Sequence, residues 1–293
     1  MRILLTGKNG QVGRELQHLL PSLGTVVAFS REELDLTSAD AISKTMRDVR
    51  PDIVVNAAAY TAVDRAEQEP GKAFAINGTA PGLIAEEAQR TDAFVVHYST
   101  DYVFDGTKKM PYLETDKPNP LSAYGHSKVT GENAIRASGA AHFIFRTSWV
   151  YAAHGSNFVH TILRLARERD ELKIVDDQIG APTWARTIAE TTLAALRSQY
   201  RDHSGLYHLT ATGAVTWFGF AKAILAEAKS LRPDLRIPEI TPITTSEYPL
   251  PAPRPANSRL DNTRLHTVLG LSNPGWTVSL AQCMRKILSP QKD

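Results

Sequence analysis

The sequence lacks the features that would set it apart from ordinary intracellular globular proteins. It has one cysteine, Cys283, in 293 residues, so an internal disulfide is impossible and a reducing compartment is expected. No apolar run approaches the roughly 20 residues that cross a bilayer, and the apolar stretch at 3–5 is too short for a signal-peptide core. We therefore expect a cytoplasmic protein with Cys283 as a small buried residue, not a catalytic thiol.

The chain also lacks an excess of charge of either sign. Its 33 Lys and Arg residues against 31 Asp and Glu residues leave a formal net charge of +2, and no basic stripe is present. This balance argues against nucleic acid or a membrane surface as a partner. Hydrophobic residues make up 42%, which is typical of a globular chain, and the length favours two domains or one elaborate domain.

The first 150 residues alternate short apolar runs with helical patterns. Short runs of mostly β-branched or aromatic residues are typical of strands buried on both faces of a parallel sheet. These runs lie at 3–5, 26–29, 53–55, 94–96 and 143–145. The alternation predicts an α/β fold with a Rossmann-like doubly wound parallel sheet. We predict a dinucleotide-binding domain at 1–150 and a smaller, mainly substrate-binding domain at 151–293, with segments that interleave with the first.

Beyond residue 150 the alternation is less regular. The predicted elements are helices at 157–168, 187–197 and 217–229 and strands at 173–175 and 206–209. Four prolines in the seven positions 249–255 indicate either an extended surface loop or a loop that shapes a substrate pocket.

Three glycines follow the first predicted strand and precede the first predicted helix. In this position Gly7 allows a tight turn, Gly10 allows a diphosphate to approach the backbone, and Gly13 allows the helix to pack closely on the strand. The free N–H groups and the positive dipole of the helix N-terminus favour the diphosphate. The context predicts a dinucleotide-binding loop at 7–13 rather than a plain turn.

The residues after the second strand indicate which dinucleotide is bound. An acidic residue about 20 residues past the glycines binds the ribose diol of NAD, but Ser30 and Arg31 stand there instead. A hydroxyl and a guanidinium suit a 2′-phosphate, so we predict NADPH, with NADH as the second possibility. A solvated loop arginine is the alternative interpretation of Arg31. Asp35 is expected near the adenine.

A tyrosine and a lysine four residues apart are the candidate catalytic pair. Tyr124 and Lys128 would share one face of a helix, where the ammonium is expected to lower the pKa of the phenol from about 10. Thr100 follows the strand at 94–96, and the C-terminal end of a parallel strand is where ligands bind. A surface helix pair is the alternative interpretation of Tyr124 and Lys128, because this spacing is common by chance.

These motifs together resemble the extended short-chain dehydrogenase/reductase superfamily. The glycine loop, the segment 99–104 and the Tyr124–Lys128 pair carry this resemblance. Within the superfamily, the chain resembles the dTDP-4-dehydrorhamnose reductases at 55–64, 145–151, 178–183 and 254–260. The resemblance extends over nearly the whole chain. It implies reduction of the 4-keto group of dTDP-4-dehydro-β-L-rhamnose to dTDP-β-L-rhamnose, the last step of dTDP-rhamnose synthesis, with a dTDP-sugar as substrate.

The same resemblance implies roles for individual residues. Tyr124 would donate the proton, and Thr100 would polarise the keto oxygen. Lys128 would tune the pKa of Tyr124 and hold the nicotinamide ribose. The substrate contacts that it implies are Thr100, Asp101, Tyr124 and Trp149. The cofactor contacts that it implies are Gly10, Gln11, Val12, Asp35, Leu36, Ala59, Tyr60, Thr61 and Tyr98.

Three other residues have competing interpretations. Trp149 is either a substrate contact or part of the core. His97 is expected to be a buried histidine with satisfied hydrogen bonds rather than a catalytic base. Asn77 is expected either to bridge a water molecule or to cap a kink near Pro81.

Some members of this family join two subunits through a magnesium ion held by carboxylates. Glu15 on the first helix matches one of these carboxylates, but Arg186 stands where the second is expected. A guanidinium next to a cation is unfavourable, so magnesium is not expected, although Glu190 lies one turn away. We expect a monomer or a homodimer that is not bridged by metal.

Two other functions remain as alternatives. A sugar-nucleotide epimerase or dehydratase of the same superfamily needs further acid–base residues, commonly Asp-Glu after the threonine, whereas Asp101 and Tyr102 follow Thr100 here. A non-catalytic NADP-binding regulatory subunit, like that of methionine adenosyltransferase, would not need the Tyr124, Lys128 and Thr100 that are present.

Overall fold

The computed structural model describes residues 1–198 and 200–288. In these residues the strands are β1 (Arg2–Thr6), β2 (Thr25–Phe29), β3 (Ile53–Asn56), β4 (Phe94–Thr100), β5 (His142–Thr147), β6 (Val150–Tyr151), β7 (Glu171–Val175), β8 (Ile179–Gly180), β9 (Thr183–Trp184), β10 (Gly205–His208), β11 (Val215–Thr216) and β12 (Glu239–Ile243). The helices are α1 (Gln11–Leu19), α2 (Ala39–Val49), α3 (Val63–Ala66), α4 (Pro70–Phe74), α5 (Ala80–Arg90), α6 (Ala123–Ala137), α7 (Phe158–Glu168), α8 (Ala185–Arg197), α9 (Trp217–Leu231), α10 (Thr263–Leu269) and α11 (Trp276–Leu288).

Six strands form one parallel sheet in the order β10-β5-β4-β3-β1-β2. Successive apolar residues of each inner strand point to opposite faces, so both faces must be covered. Ile3 packs with Leu16 of α1 and Ile188 of α8 on one face. Leu4 packs with Met46 of α2 on the other, where α5 and α6 also lie. The predicted doubly wound α/β fold is confirmed.

The strand order creates a crevice between β1 and β3. The chain runs from β1 outward to β2 and then returns to place β3 on the other side of β1. The connections that leave β1 and β3 therefore diverge, and ligands bind at the carboxyl ends of such strands. The glycine loop leaves β1 at this point.

A second hydrophobic cluster lies between α7, α9 and α11. Tyr151 and Trp184 are among its buried residues, and so is Cys283, which is fully buried as expected. Burial raises the pKa of the Cys283 thiol to about 12, so it is no thiolate. The second half of the chain also contributes β10 to the large sheet and α8 to the cover of one of its faces. The domain boundary at 150 stays a prediction, and the predicted second domain at 151–293 extends past the described residues.

No helix in the part of the chain that the structure describes is long and apolar enough to span a bilayer.

Candidate functional site

The glycine loop has the shape that a diphosphate requires. Helix α1 begins at Gln11 with Gly10 as its N-cap and has no acidic residue in its first turn, so its positive end is free to bind an anion. Gly7 has a φ of +73°, and a Cβ there would lie 2.7 Å from the Ala58 nitrogen. A Cβ on Gly13 would lie 2.0 Å from the Gly7 oxygen. Both positions therefore need glycine.

A cavity of about 550 Å³ opens beside this loop at the ends of the central strands. Fourteen of the predicted cofactor residues line it: Gly7, Gly10, Gln11, Val12, Ser30, Arg31, Asp35, Leu36, Ala59, Tyr60, Thr61, Tyr98, Tyr124 and Lys128. Gly13 is not in the lining, because it packs against the backbone of the loop itself. Ser99 and the segment 154–156 also line the cavity. The sequence analysis missed this segment, which lies in a loop whose residues match no ligand-binding pattern.

Tyr124 and Lys128 lie on the first turns of α6. The Ser122 hydroxyl caps this helix by accepting a hydrogen bond from the Gly125 N–H. Both catalytic candidates are buried, with 9% and 1% of their surfaces exposed. The Lys128 ammonium donates to the Tyr98 carbonyl at 2.6 Å and lies 3.2 Å from His97 Nε2. The pair is therefore internal, and the surface-pair interpretation is wrong.

The pKa of Tyr124 differs from the sequence expectation. Burial raises this pKa to about 12, and the Thr100 hydroxyl offsets only part of the effect. The expected lowering by Lys128 is absent because burial of the phenol dominates and the ammonium is bonded to Tyr98. Burial also lowers the pKa of Lys128 to about 8, against the opposing charge of Glu132. At neutral pH Tyr124 is a protonated phenol, which is the form a proton donor requires.

Thr100 and Asp101 lie at the end of β4. The Thr100 hydroxyl donates to Asp101 Oδ1 at 3.0 Å and accepts from the Tyr102 N–H at 3.2 Å. Burial raises the pKa of Asp101 to about 7. Neither residue is in the lining of the cofactor cavity, but Thr100 is close enough to Tyr124 to influence its pKa.

Trp149 lies outside the cofactor cavity and stacks on Trp217. The ring centroids are 3.5 Å apart and the planes differ by 4°. Trp217 lines a second cavity of about 780 Å³, together with five residues of the proline-rich loop at 249–255. Arg254 of this loop pairs with Asp64 of α3 at 2.7 Å. The loop is largely exposed and also lines this cavity, and its role in binding substrate stays a prediction.

His97 and Asn77 both have hydrogen-bond partners inside the protein. His97 is fully buried between Asn56 and Lys128, as expected. Asn77 accepts from the Tyr60 N–H at 2.8 Å and donates to the Tyr60 carbonyl and to the Ser127 hydroxyl. Its amide therefore joins the Tyr60 segment directly to α6, and a bridging water or a cap near Pro81 stays a prediction.

Arg186 lies between two carboxylates at the contact of α1 with α8. Its Nε donates to Glu190 Oε1 at 2.6 Å, and its Nη1 is 3.5 Å from Glu15 Oε2. No group of three or more His, Cys, Asp or Glu side chains in the described ranges is arranged to hold a metal ion. A guanidinium thus neutralises the acids that a cation would need.

The chain is similar to known proteins over nearly its full length. Residues 1–289 match the model of a family described as the RmlD substrate binding domain. The sequence is 49% identical to a dTDP-4-dehydrorhamnose reductase of Burkholderia thailandensis, covering 99% of this chain and 100% of that protein. The fold is similar to the crystal structure of a dTDP-4-dehydrorhamnose reductase from Clostridium acetobutylicum, with a TM-score of 0.91, 38% identity and coverage of 97% and 98% of the two chains. It is also similar to a dTDP-4-dehydrorhamnose reductase from Bacillus anthracis in complex with NADP, with a TM-score of 0.89, 35% identity and coverage of 96% and 97%.

Proposed function

The chain belongs to the dTDP-4-dehydrorhamnose reductase family, and on that premise we propose that the cavity beside its glycine loop carries out the reaction of that family. The protein is an oxidoreductase that uses NADPH to reduce the 4-keto group of dTDP-4-dehydro-β-L-rhamnose. The product is dTDP-β-L-rhamnose, and the reaction is the last step of dTDP-rhamnose synthesis. The observation that carries the site assignment is the position of Tyr124 and Lys128, which line the same cavity as the glycine loop.

The residues present fit NADPH. The space beside Gly7 and over the start of α1, where no acidic side chain lies in the first turn, accommodates a diphosphate. Arg31 is exposed just past the end of β2, and its positive charge interacts with the nearby carboxylates of Glu32 and Asp35. Ser30 and Arg31 would hold the 2′-phosphate, and Lys128 and Tyr124 would lie at the nicotinamide end. NADPH, when bound, supplies the hydride.

The chain's own residues supply the proton and stabilise charge. As negative charge grows on the keto oxygen, the Tyr124 hydroxyl gives its proton to that oxygen, and the O–H bond of the phenol breaks. The Lys128 ammonium stabilises the phenolate that remains. The Thr100 hydroxyl donates a second hydrogen bond to the same oxygen, in exchange for its bond to Asp101. Asp101 and Trp149 are proposed to contact the sugar nucleotide.

An absorbance assay at the band of the reduced nicotinamide tests the function. We expect loss of NADPH in proportion to added dTDP-4-dehydro-β-L-rhamnose, with no loss in the absence of the sugar. An epimerase or dehydratase would convert the sugar without net oxidation of NADPH. A regulatory subunit would bind NADPH and leave the sugar unchanged. Either outcome would contradict the reductase assignment.

Arg31 is expected to set the preference for NADPH over NADH. The substitution Arg31→Ala should weaken NADPH binding by about 10- to 150-fold, because it removes a charge-assisted hydrogen bond to the 2′-phosphate. NADH binding should change little. Dissociation constants of both cofactors measure the effect, with Arg47→Ala as the control, since Arg47 is exposed on α2 outside the cavity lining. Equal weakening of both cofactors would show that Arg31 does not contact the phosphate.

We also propose that assembly and activity do not depend on magnesium. Arg186 holds both Glu15 and Glu190, and a divalent cation prefers a cluster of free carboxylate oxygens. Activity without added magnesium and an unchanged sedimentation coefficient after addition of a chelator are expected. The protein is then a monomer or a dimer held by protein contacts alone. A dimer that dissociates in the chelator would show that the acids bind the ion in spite of Arg186.

We propose a cytoplasmic location, because a single buried cysteine suits a reducing compartment.

A further inference from the structure

A buried chain of polar side chains connects Lys128 to three strands of the sheet. His97 Nε2 lies 3.2 Å from Lys128 Nζ, and His97 Nδ1 lies 3.1 Å from the amide nitrogen of Asn56. The other end of the Asn56 amide lies 2.6 Å from the Thr6 hydroxyl. None of these four residues is more than 2% exposed. Their hydrogen bonds therefore have no competition from bulk water.

The ammonium of Lys128 has three N–H donors, and two of them are directed at acceptors within the protein. One points to the Tyr98 carbonyl at 2.6 Å and a second to His97 Nε2. Because Lys128 also lines the cofactor cavity, the third donor is available there to Tyr124 or to a bound ligand. The direction of this third N–H depends on the two bonds that fix the other two.

His97 can accept from Lys128 in only one of its protonation states. A neutral imidazole has one donor and one acceptor nitrogen, and burial with the nearby Lys128 charge holds the pKa of His97 well below its usual range. Nε2 must accept from the ammonium, so Nδ1 carries the proton. Asn56 must then turn its oxygen toward Nδ1 and its nitrogen toward Thr6, which is allowed because the two ends of an amide are nearly identical in shape.

We propose that His97 is a positioning residue for the reduction: as the neutral Nδ1–H tautomer it accepts a hydrogen bond from the Lys128 ammonium and so directs the remaining N–H into the cavity. The proposal rests on the proposed reductase function, in which Lys128 acts on Tyr124 and the cofactor. His97 neither gives nor takes a proton during turnover.

Loss of the His97 Nε2 acceptor would lower the pKa of Lys128. A buried ammonium that loses a hydrogen-bond partner is less stable, so the pKa of Lys128 would move below its value of about 8. The other titratable groups that act here are Glu132, which raises the pKa of Lys128, and His142, which lowers that of His97. Asp101 acts on neighbouring Tyr124. The alkaline limb of the kcat profile, where the ammonium is lost, should therefore move to lower pH.

The first experiment measures the tautomer in the unmodified protein without substrate. Nitrogen-15 chemical shifts of the His97 ring distinguish Nδ1–H from Nε2–H and from the imidazolium. We expect protonation at Nδ1 alone at neutral pH. Protonation at Nε2, or on both nitrogens, would overturn the proposal whether or not the protein is a reductase.

The second experiment separates positioning from folding with three variants. His97→Phe should lower kcat by about 10- to 150-fold, the effect of losing a hydrogen bond to a charged group, and should shift the alkaline limb to lower pH. His97→Gln keeps an acceptor oxygen that can reach Lys128 and should restore both values toward the parent. His18→Phe makes the same change at an exposed histidine of α1 that does not line the cavity, and it should alter neither value.

An unshifted alkaline limb in a folded His97→Phe protein would contradict the positioning role. If His97→Phe does not fold, the tautomer measurement decides the question. Failure of the proposed function would be recognised separately, because the parent protein itself would then not oxidise NADPH with the sugar.

Discussion

Replacement of Tyr124 by phenylalanine is expected to lower kcat by about 10²–10⁴-fold and to leave NADPH binding close to that of the parent. The phenol is the proton donor, and burial holds its pKa near 12, so it is protonated at neutral pH. Phenylalanine keeps the ring, which packs edge-on against Tyr102 with centroids 5.7 Å apart. Fold and cavity shape should therefore survive, and only the transferable proton is lost.

The measurements are single-turnover oxidation of NADPH with the keto sugar and a separate titration of NADPH binding. Tyr151→Phe is a matched control, because it removes a buried phenol outside the cofactor cavity. Its hydroxyl has no hydrogen-bond partner in the described residues, so its removal should leave kcat within a few-fold. A Tyr124→Phe protein with kcat within a few-fold of the parent would refute the assignment of Tyr124 as donor.

The strands of the sheet were predictable because the apolar run that indicates each strand lies within a few consecutive residues. The runs at 3–5, 53–55 and 94–96 are continuously apolar, and only a strand covered on both faces buries every residue of such a run. The glycine loop was predictable for the same reason, since its spacing and its place between strand and helix lie within one short segment. The addition of β10 to the edge of the sheet beside β5 was not read from local patterns, because it depends on long-range packing.

The chemistry of the site was only partly predictable. The spacing of Tyr124 and Lys128 shows that they share a helix face, but it does not show that Tyr98 and His97 hold the ammonium. The direction of the pKa shift of Tyr124 depends on its burial, which is a property of the whole fold. The stacking of Trp149 on Trp217 likewise joins two segments with no shared sequence pattern.

A buried ion pair one helical turn beyond Lys128 should dominate the stability of this region. Arg146 on β5 forms two hydrogen bonds with Glu132 on α6, Nε to Oε1 at 2.8 Å and Nη2 to Oε2 at 2.6 Å. The Ser99 hydroxyl on β4 donates to the same carboxylate at 2.5 Å. Both charged side chains are at most 1% exposed. The pair therefore ties α6, which carries Tyr124 and Lys128, to two central strands.

Arg146→Met is expected to lower the free energy of unfolding by about 3–5 kcal/mol, because it leaves the Glu132 carboxylate buried without its partner. Urea unfolding measures the loss. The double variant Arg146→Met with Glu132→Gln should be more stable than the single variant, since no unpaired charge remains and Ser99 can donate to the glutamine oxygen. Arg164→Met is the control: its pair with Glu168 is exposed on α7, so the change should stay below about 1 kcal/mol.

Glu132 should also affect catalysis, because its charge raises the pKa of Lys128. Glu132→Gln alone should lower that pKa and move the alkaline limb of kcat to lower pH, in the same direction as His97→Phe. The two effects have different causes, since Glu132 acts through its charge and His97 through a neutral acceptor.

If Arg146→Met unfolds no more easily than Arg164→Met, the buried pair does not anchor α6, and some other contact must hold Tyr124 in place.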